Sequence, residues 1–155
     1  MNIRDILEHK GDHVVTISEN ATIHEAIGKL NEKRIGALVV TESDGRVTGI
    51  ISERDILREC GNRCVALKDP SARKIAECTS LVRDCMTTDL VVAVPDDSLD
   101  YVMGIMTKNR IRHLPVMHSG KLVGIVSIGD VVNAHVGAAE HENRLLKDYI
   151  HGVMH

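Results

Sequence analysis

The sequence predicts a mixed α/β (α+β) fold, built from two copies of one β-α-β-β-α repeat and extended by a long C-terminal helix. Three observations carry this. Two near-identical strings, Gly49-Ile-Ile-Ser52-Glu-Arg-Asp55 and Gly124-Ile-Val-Ser127-Ile-Gly-Asp130, each end a β-branched run and open a helical pattern. Two apolar stripes at i, i+3, i+4, i+7 (Ile23, Ala26, Ile27, Leu30 and Leu99, Val102, Met103, Met106) mark one amphipathic helix in each copy. The remaining features recur in type and order with a period of about 76 residues, as an internal duplication requires.

In chain order, Ile3-Arg-Asp-Ile-Leu7 places its apolar side chains on one face of a short helix. Val14-Val-Thr-Ile17 reads as a strand. Ser18-Glu-Asn-Ala-Thr22 supplies turn chemistry, with Thr22 as N-cap and Glu25 completing a capping box. After the first stripe, Ala37 to Thr41 and Val47 to Ile51 form a hairpin across the turn Glu42-Ser-Asp-Gly45. Ser52 caps the next helix, which carries Ile56 and Leu57 and is expected to stop near Cys60-Gly61. Asp69-Pro70 then opens a short connector helix through Ala72, Ile75 and Ala76.

The second copy repeats the order. Val82-Arg-Asp-Cys-Met86 echoes residues 3–7, and Val91-Val-Ala-Val94 echoes the first strand. Arg110-Ile111 repeats Arg34-Ile35, Leu114-Pro-Val-Met117 is again a strand, and Leu122 to Val126 returns across Ser119-Gly120. Past Asp130 the helical pattern runs on, with Val132, Val136, Leu146, Tyr149, Ile150 and Val153 roughly on one face and a bend expected at Gly137. Such a stripe meets either a partner helix or its own domain, and self-association into a homodimer is the expectation. The divisions are residues 1–60 for the first repeat, 61–79 for the connector, 80–133 for the second repeat and 134–155 for the helical extension.

Composition narrows the classes of function. With 43% hydrophobic and 26% charged residues, the chain reads as an ordinary water-soluble protein. No apolar run is long enough to span a bilayer, and the first residues do not form a signal peptide, so the expectation is a cytoplasmic protein with no membrane partner. A net charge of −3, two Tyr and no Phe or Trp leave neither a basic face nor stacking rings for nucleic acid. Cys60, Cys64, Cys78 and Cys85 lack the paired spacing of a zinc knuckle and read as reduced thiols. His151 and His155 stand four apart at a terminus expected to fray, so no metal site is assigned. No nucleophile–base pair is visible, hence no catalytic residue and no catalytic cofactor.

The chemistry lies at the duplicated junction. Ser52 with Asp55, and Ser127 with Asp130, stand where a strand hands over to a helix N-terminus. Capping alone accounts for this arrangement, the serine oxygen accepting an N–H and the carboxylate complementing the helix dipole. A carboxylate can also accept both hydroxyls of a cis-diol, beside a helix end that favours phosphate. Arg54 sits at the same helix start, where a cation opposes the dipole and a phosphate would reverse the penalty; the second copy has Gly129 there.

Strings such as Thr16-Ile17 leading into Thr22-Ile23, Ile35-Gly-Ala-Leu-Val-Val40, Ile111-Arg-His-Leu-Pro-Val116 and the two Ser-x-x-Asp junctions resemble the cystathionine-β-synthase (CBS) domain. The tandem copies resemble a Bateman module over nearly the whole chain, of the kind found as stand-alone CBS-pair proteins in bacteria. The resemblance implies two repeats packed with pseudo-twofold symmetry around ligand clefts. It implies an adenosine ligand, namely AMP, ADP, ATP, NAD(H) or S-adenosylmethionine, and a regulatory, energy- or redox-sensing role in signal transduction. It also implies a homodimer and an unidentified regulated protein.

Carried onto this chain, the resemblance makes Asp55 and Asp130 ribose ligands, with Ser52 and Ser127 touching ribose or phosphate. Arg112 and His113, with Arg54, would face phosphate, whereas Gly36 and Ala37 leave room for a bulkier group in the first copy. Thr16, Ile17, Leu38, Val94 and Leu114 would flank adenine, and Asn20 and Pro115 are counted with them as nucleotide-binding residues. Sheet core is the plain alternative for the apolar members of that set. For the whole protein, the alternative is a structural dimerisation protein without ligand.

Overall fold

A computed structural model describes residues 1–11, 13–66 and 80–152. The expected connector helix from Asp69, together with Cys78, Val153 and His155, lies outside them, as does the side chain of Cys64. The described elements are α1 (Ile3–Lys10), β1 (Thr16–Ser18), α2 (Ile23–Lys33), β2 (Ala37–Thr41), β3 (Val47–Ser52), α3 (Glu53–Ala66), α4 (Val82–Cys85), α5 (Leu99–Asn109), β4 (His113–His118), β5 (Lys121–Ser127) and α6 (Ile128–Gly152). They form two compact units, one of residues 14–90 and the other of residues 1–13 with 91–155.

In the unit of residues 14–90, β1 runs parallel to β2, and β2 pairs antiparallel with β3. Helix α2 begins as the sequence predicts: Thr22 Oγ1 accepts the Glu25 N–H at 3.1 Å, and the Thr22 N–H donates to Glu25 Oε2 at 2.8 Å. Its buried face, Ile23, Ala26 and Leu30, meets Leu38, Val40, Ile51 and Val82 in one core. Helix α3 runs on to Ala66 and does not stop at Cys60-Gly61. A single glycine costs a helix only about 1 kcal/mol relative to alanine, too little to end it without a following breaker.

The other unit repeats this plan with one strand fewer. Strands β4 and β5 form an antiparallel pair, and the expected strand Val91 to Val94 shrinks to one parallel bridge, Ala93 with Val116. Two hydrogen bonds serve it, Ala93 N–H to Pro115 O and Met117 N–H to Ala93 O, each 2.9 Å. The next N–H, that of Val94, turns to the Asp97 carboxylate at 2.8 Å, and Pro95 has none to offer, so the ladder ends there. The core joins Ile3 and Ile6 of α1 to Leu99, Val102, Met106, Leu114, Val116, Val126 and Val131.

The duplication holds down to single backbone angles. Helices α2 and α5 both end on an arginine in the left-handed region, Arg34 at φ 53° and Arg110 at φ 55°. Both hairpins shift register at the same place, beside the pairs Val40–Gly49 and Val116–Gly124. Those glycines permit close approach from a short helical segment distant in sequence, α4 with the residues after it at Gly49 and α1 at Gly124. A Cβ on Gly49 would lie 2.8 Å from Met86 Sδ, and one on Gly124 would lie 2.5 Å from Leu7 Cδ2.

Helix α6 is continuous through Gly137, so it is not interrupted there, and its residues 139–152 are exposed all round. Val132, Val136, Leu145, Leu146, Tyr149 and Ile150 are all exposed along it. Among the described residues no helix is long and apolar enough to cross a membrane.

Candidate functional site

Asp130 closes the first turn of α6 directly after β5. Its N–H donates to Ser127 Oγ at 3.1 Å, and its Oδ2 accepts the Ser127 N–H at 2.8 Å, a reciprocal cap at the strand-to-helix junction. The same Oδ2 accepts a hydrogen bond from Lys10 Nζ at 2.6 Å, and that ammonium also donates to Ile125 O at 3.0 Å. Burial works to raise the carboxyl pKa, but the Lys10 ammonium and the Ser127 donors outweigh it and hold the group below its ordinary value. Asp130 is therefore a charged carboxylate at neutral pH, with 27% of its side chain exposed. It borders an open groove of about 510 Å³ between α1 and α6, lined also by Ile6, His9, Lys10, Asn133 and Ala134. That volume falls within the range of about 300–1,000 Å³ typical of small-molecule sites.

Asp55 repeats the cap in a different setting. Its Oδ2 accepts the Ser52 N–H at 2.9 Å and the Ser52 hydroxyl at 3.2 Å, and its Oδ1 accepts the Thr87 hydroxyl at 3.2 Å. Both oxygens are thus engaged by neutral donors, and the residue is only 9% exposed. The two junctions are alike in sequence and unlike in availability.

Two of the other second-copy candidates stand at the same junction as Asp130. His113 opens β4 directly opposite Ser127, and the Arg112 carbonyl accepts the Ile128 N–H at 2.8 Å, so both basic residues stand at the start of α6. Leu114 is wholly buried in the core, Pro115 is buried, and Val94 is 44% exposed.

In the first copy Gly36 and Ala37 take the corresponding places: Ala37 lies opposite Ser52, and the Gly36 carbonyl accepts the Glu53 N–H at 3.0 Å. Arg54 is exposed on the first turn of α3. Ile17 and Leu38 are core side chains. The Thr16 carbonyl accepts Lys29 Nζ at 2.8 Å, and Asn20 Oδ1 accepts a hydrogen bond from Arg83.

Two residues at these junctions escape sequence reasoning. Lys10 and Asp130 are 120 positions apart, and nothing local marks Lys10 as more than a cation in the last turn of a helix. Thr87 reaches Asp55 because its backbone bridges Ile50, the N–H and carbonyl of each bonding the other at 3.0 and 2.9 Å. The available signal was the echo of residues 3–7 in 82–86, which places a helical segment at the start of each copy without saying which strand it meets.

Comparison with known proteins agrees with this architecture. The family model described as the CBS domain matches residues 3–62 and 82–137. The mitochondrial CBS domain-containing protein CBSX3 of Arabidopsis thaliana is 32% identical, over 97% of this chain and 72% of its own length. Among solved structures, a CBS-domain containing protein of Agrobacterium tumefaciens superposes with a TM-score of 0.77 at 39% identity, covering 86% of this chain and 92% of that one. CBSX2 in complex with AMP gives a TM-score of 0.67 at 26% identity, covering 89% and 98%. A CBS domain pair in complex with 5′-methylthioadenosine and S-adenosyl-L-methionine gives 0.70 at 25% identity, also covering 89% and 98%.

Proposed function

The chain belongs to the CBS domain family, and we propose that within it this protein is a cytoplasmic regulatory module that binds an adenosine nucleotide at Asp130 and signals its presence to a partner protein. One observation carries the choice of site. Asp130 offers a charged, partly exposed carboxylate beside a cation and an open groove, whereas both oxygens of Asp55 are already engaged. A carboxylate so placed accepts the two hydroxyls of a ribose, with the start of α6 and with Arg112 and His113 alongside for phosphate. AMP and S-adenosylmethionine in the structural neighbours support adenosine as the shared element. AMP, ADP, ATP and NAD(H) are the candidates with phosphate. Ligand acts by stabilising the conformation it binds more tightly, and by no more than that difference in affinity. The exposed apolar residues of α6 suit a homodimer contact.

A thermal-shift panel of these nucleotides and S-adenosylmethionine tests the reading: at least one should raise the melting midpoint in a dose-dependent way. No response from any of them at millimolar concentration would sink it. The second reading, a structural dimerisation protein, is favoured by the reciprocal Ser–Asp caps, which complete both helix starts without any ligand. It predicts self-association with no thermal shift from any adenosine compound.

A further inference from the structure

We propose that Lys10 is the specificity element of the Asp130 site: it pairs with the carboxylate until ribose hydroxyls take its place, then turns to the ligand's phosphate, so that phosphorylated adenosines are preferred to neutral ones. This rests on Asp130 as the ribose clamp. Of the donors on Asp130 Oδ2, the Ser127 N–H at 2.8 Å belongs to the backbone of the strand end and cannot leave without unmaking the cap. The Lys10 ammonium at 2.6 Å is the exchangeable one, on a flexible side chain that is 37% exposed. A cis-diol needs both carboxylate oxygens, so binding must draw on the position Lys10 holds.

Displacement leaves an ammonium without its anion, beside a site that still holds it through the Ile125 carbonyl at 3.0 Å. A neutral ligand breaks a charge pair and returns nothing. A phosphorylated ligand supplies a new anion to the released cation. Specificity follows from the difference between those two exchanges, through a penalty on the wrong ligand as much as a gain on the right one. Among the described residues the donors on the Asp55 oxygens are Ser52 and Thr87, both neutral, so this device belongs to the Asp130 site.

Calorimetric titration of the full chain with AMP and with 5′-methylthioadenosine, which has the same ribose cis-diol and no phosphate, reads this directly. The wild type should bind AMP more tightly than methylthioadenosine. Lys10→Met should weaken AMP about tenfold, the scale of one charged hydrogen bond, and leave methylthioadenosine unchanged or tighter. Lys10→Arg should keep the preference for AMP. If Lys10→Met shifts both ligands by the same factor, or neither, the inference is wrong and Lys10 is structural only. Wild type that binds neither compound overturns the ribose-clamp reading, and this inference with it. Lys10→Gln serves in the same titration should Lys10→Met not fold, as judged by its melting transition.

Discussion

Lys10 Nζ and Asp130 Oδ2 lie 2.6 Å apart and tie the end of α1 to the first turn of α6. The pair has a pH signature whose sign follows from the depressed pKa of Asp130. A carboxyl whose folded pKa lies below its unfolded value of about 3.9 contributes stability that is present above that value. The contribution disappears as pH falls through the lower, folded value. Denaturant unfolding of the wild type between neutral pH and pH ~3 should show an acid loss that Asp130→Asn lacks in part. Partial exposure screens the pair, so its share of that loss should be about 1 kcal/mol or less. Identical acid limbs in the two proteins would show that the ion pair contributes nothing.

Gly49 and Gly124 occupy equivalent places, but substitution at them should not be equivalent. At Gly124 the atoms nearest an added Cβ all belong to the Leu7 side chain, whereas at Gly49 they include the Thr87 carbonyl oxygen at 2.9 Å. Backbone cannot step aside as a leucine can. Gly49→Ala should therefore cost more than Gly124→Ala, each on the scale of about 1–3 kcal/mol for overpacking. Adding Leu7→Ala to Gly124→Ala should relieve the clash, giving a positive coupling in a double-mutant cycle measured by denaturant unfolding. Strict additivity would contradict the contact.

The turn between β4 and β5 offers a stabilising change. Ser119 at φ 50° and Gly120 at φ 74° lie between the paired residues His118 and Lys121, a two-residue loop with both central residues left-handed. Serine bears a steric cost there that asparagine tolerates better. Ser119→Asn should raise stability by a few tenths to about 1 kcal/mol, read as a higher midpoint in denaturant. A lower midpoint would show that the serine makes a compensating contact.

Most of the fold was legible because its signals are local. Thr22 and Glu25 cap each other three residues apart, and Ile23, Ala26 and Leu30 fall on one helix face. The two Ser-x-x-Asp junctions were visible for the same reason. What was hidden depends on contacts between distant residues. The strand expected at Val91 was lost to the Asp97 side chain and to Pro95, and α3 passed Gly61 with nothing to stop it. By sequence Lys10 belongs to the first repeat, yet α1 packs in the core that holds Leu114 and Val131 of the second. The difference between Asp130 and Asp55 therefore could not be read from two strings that look the same.

Helix α6 supplies a test of self-association separate from ligand binding. Leu146 and Ile150 are 55% and 62% exposed, so replacing both with lysine should leave the folded units intact. Sedimentation equilibrium should show a wild-type dimer, and the double variant should shift toward monomer with little change in melting midpoint. A wild type that is monomeric, or a variant that stays dimeric, would remove α6 from the interface.

The central claim, that Asp130 holds the ribose of an adenosine nucleotide, is met most directly by calorimetric titration of AMP into the wild type, Asp130→Asn and Asp55→Asn. The wild type should bind, and Asp130→Asn should weaken binding by about 1–3 kcal/mol through loss of charged hydrogen bonds. Asp55→Asn should weaken it less, because its carboxylate is already engaged by Ser52 and Thr87. AMP affinity that survives Asp130→Asn unchanged while Asp55→Asn abolishes it would contradict the account.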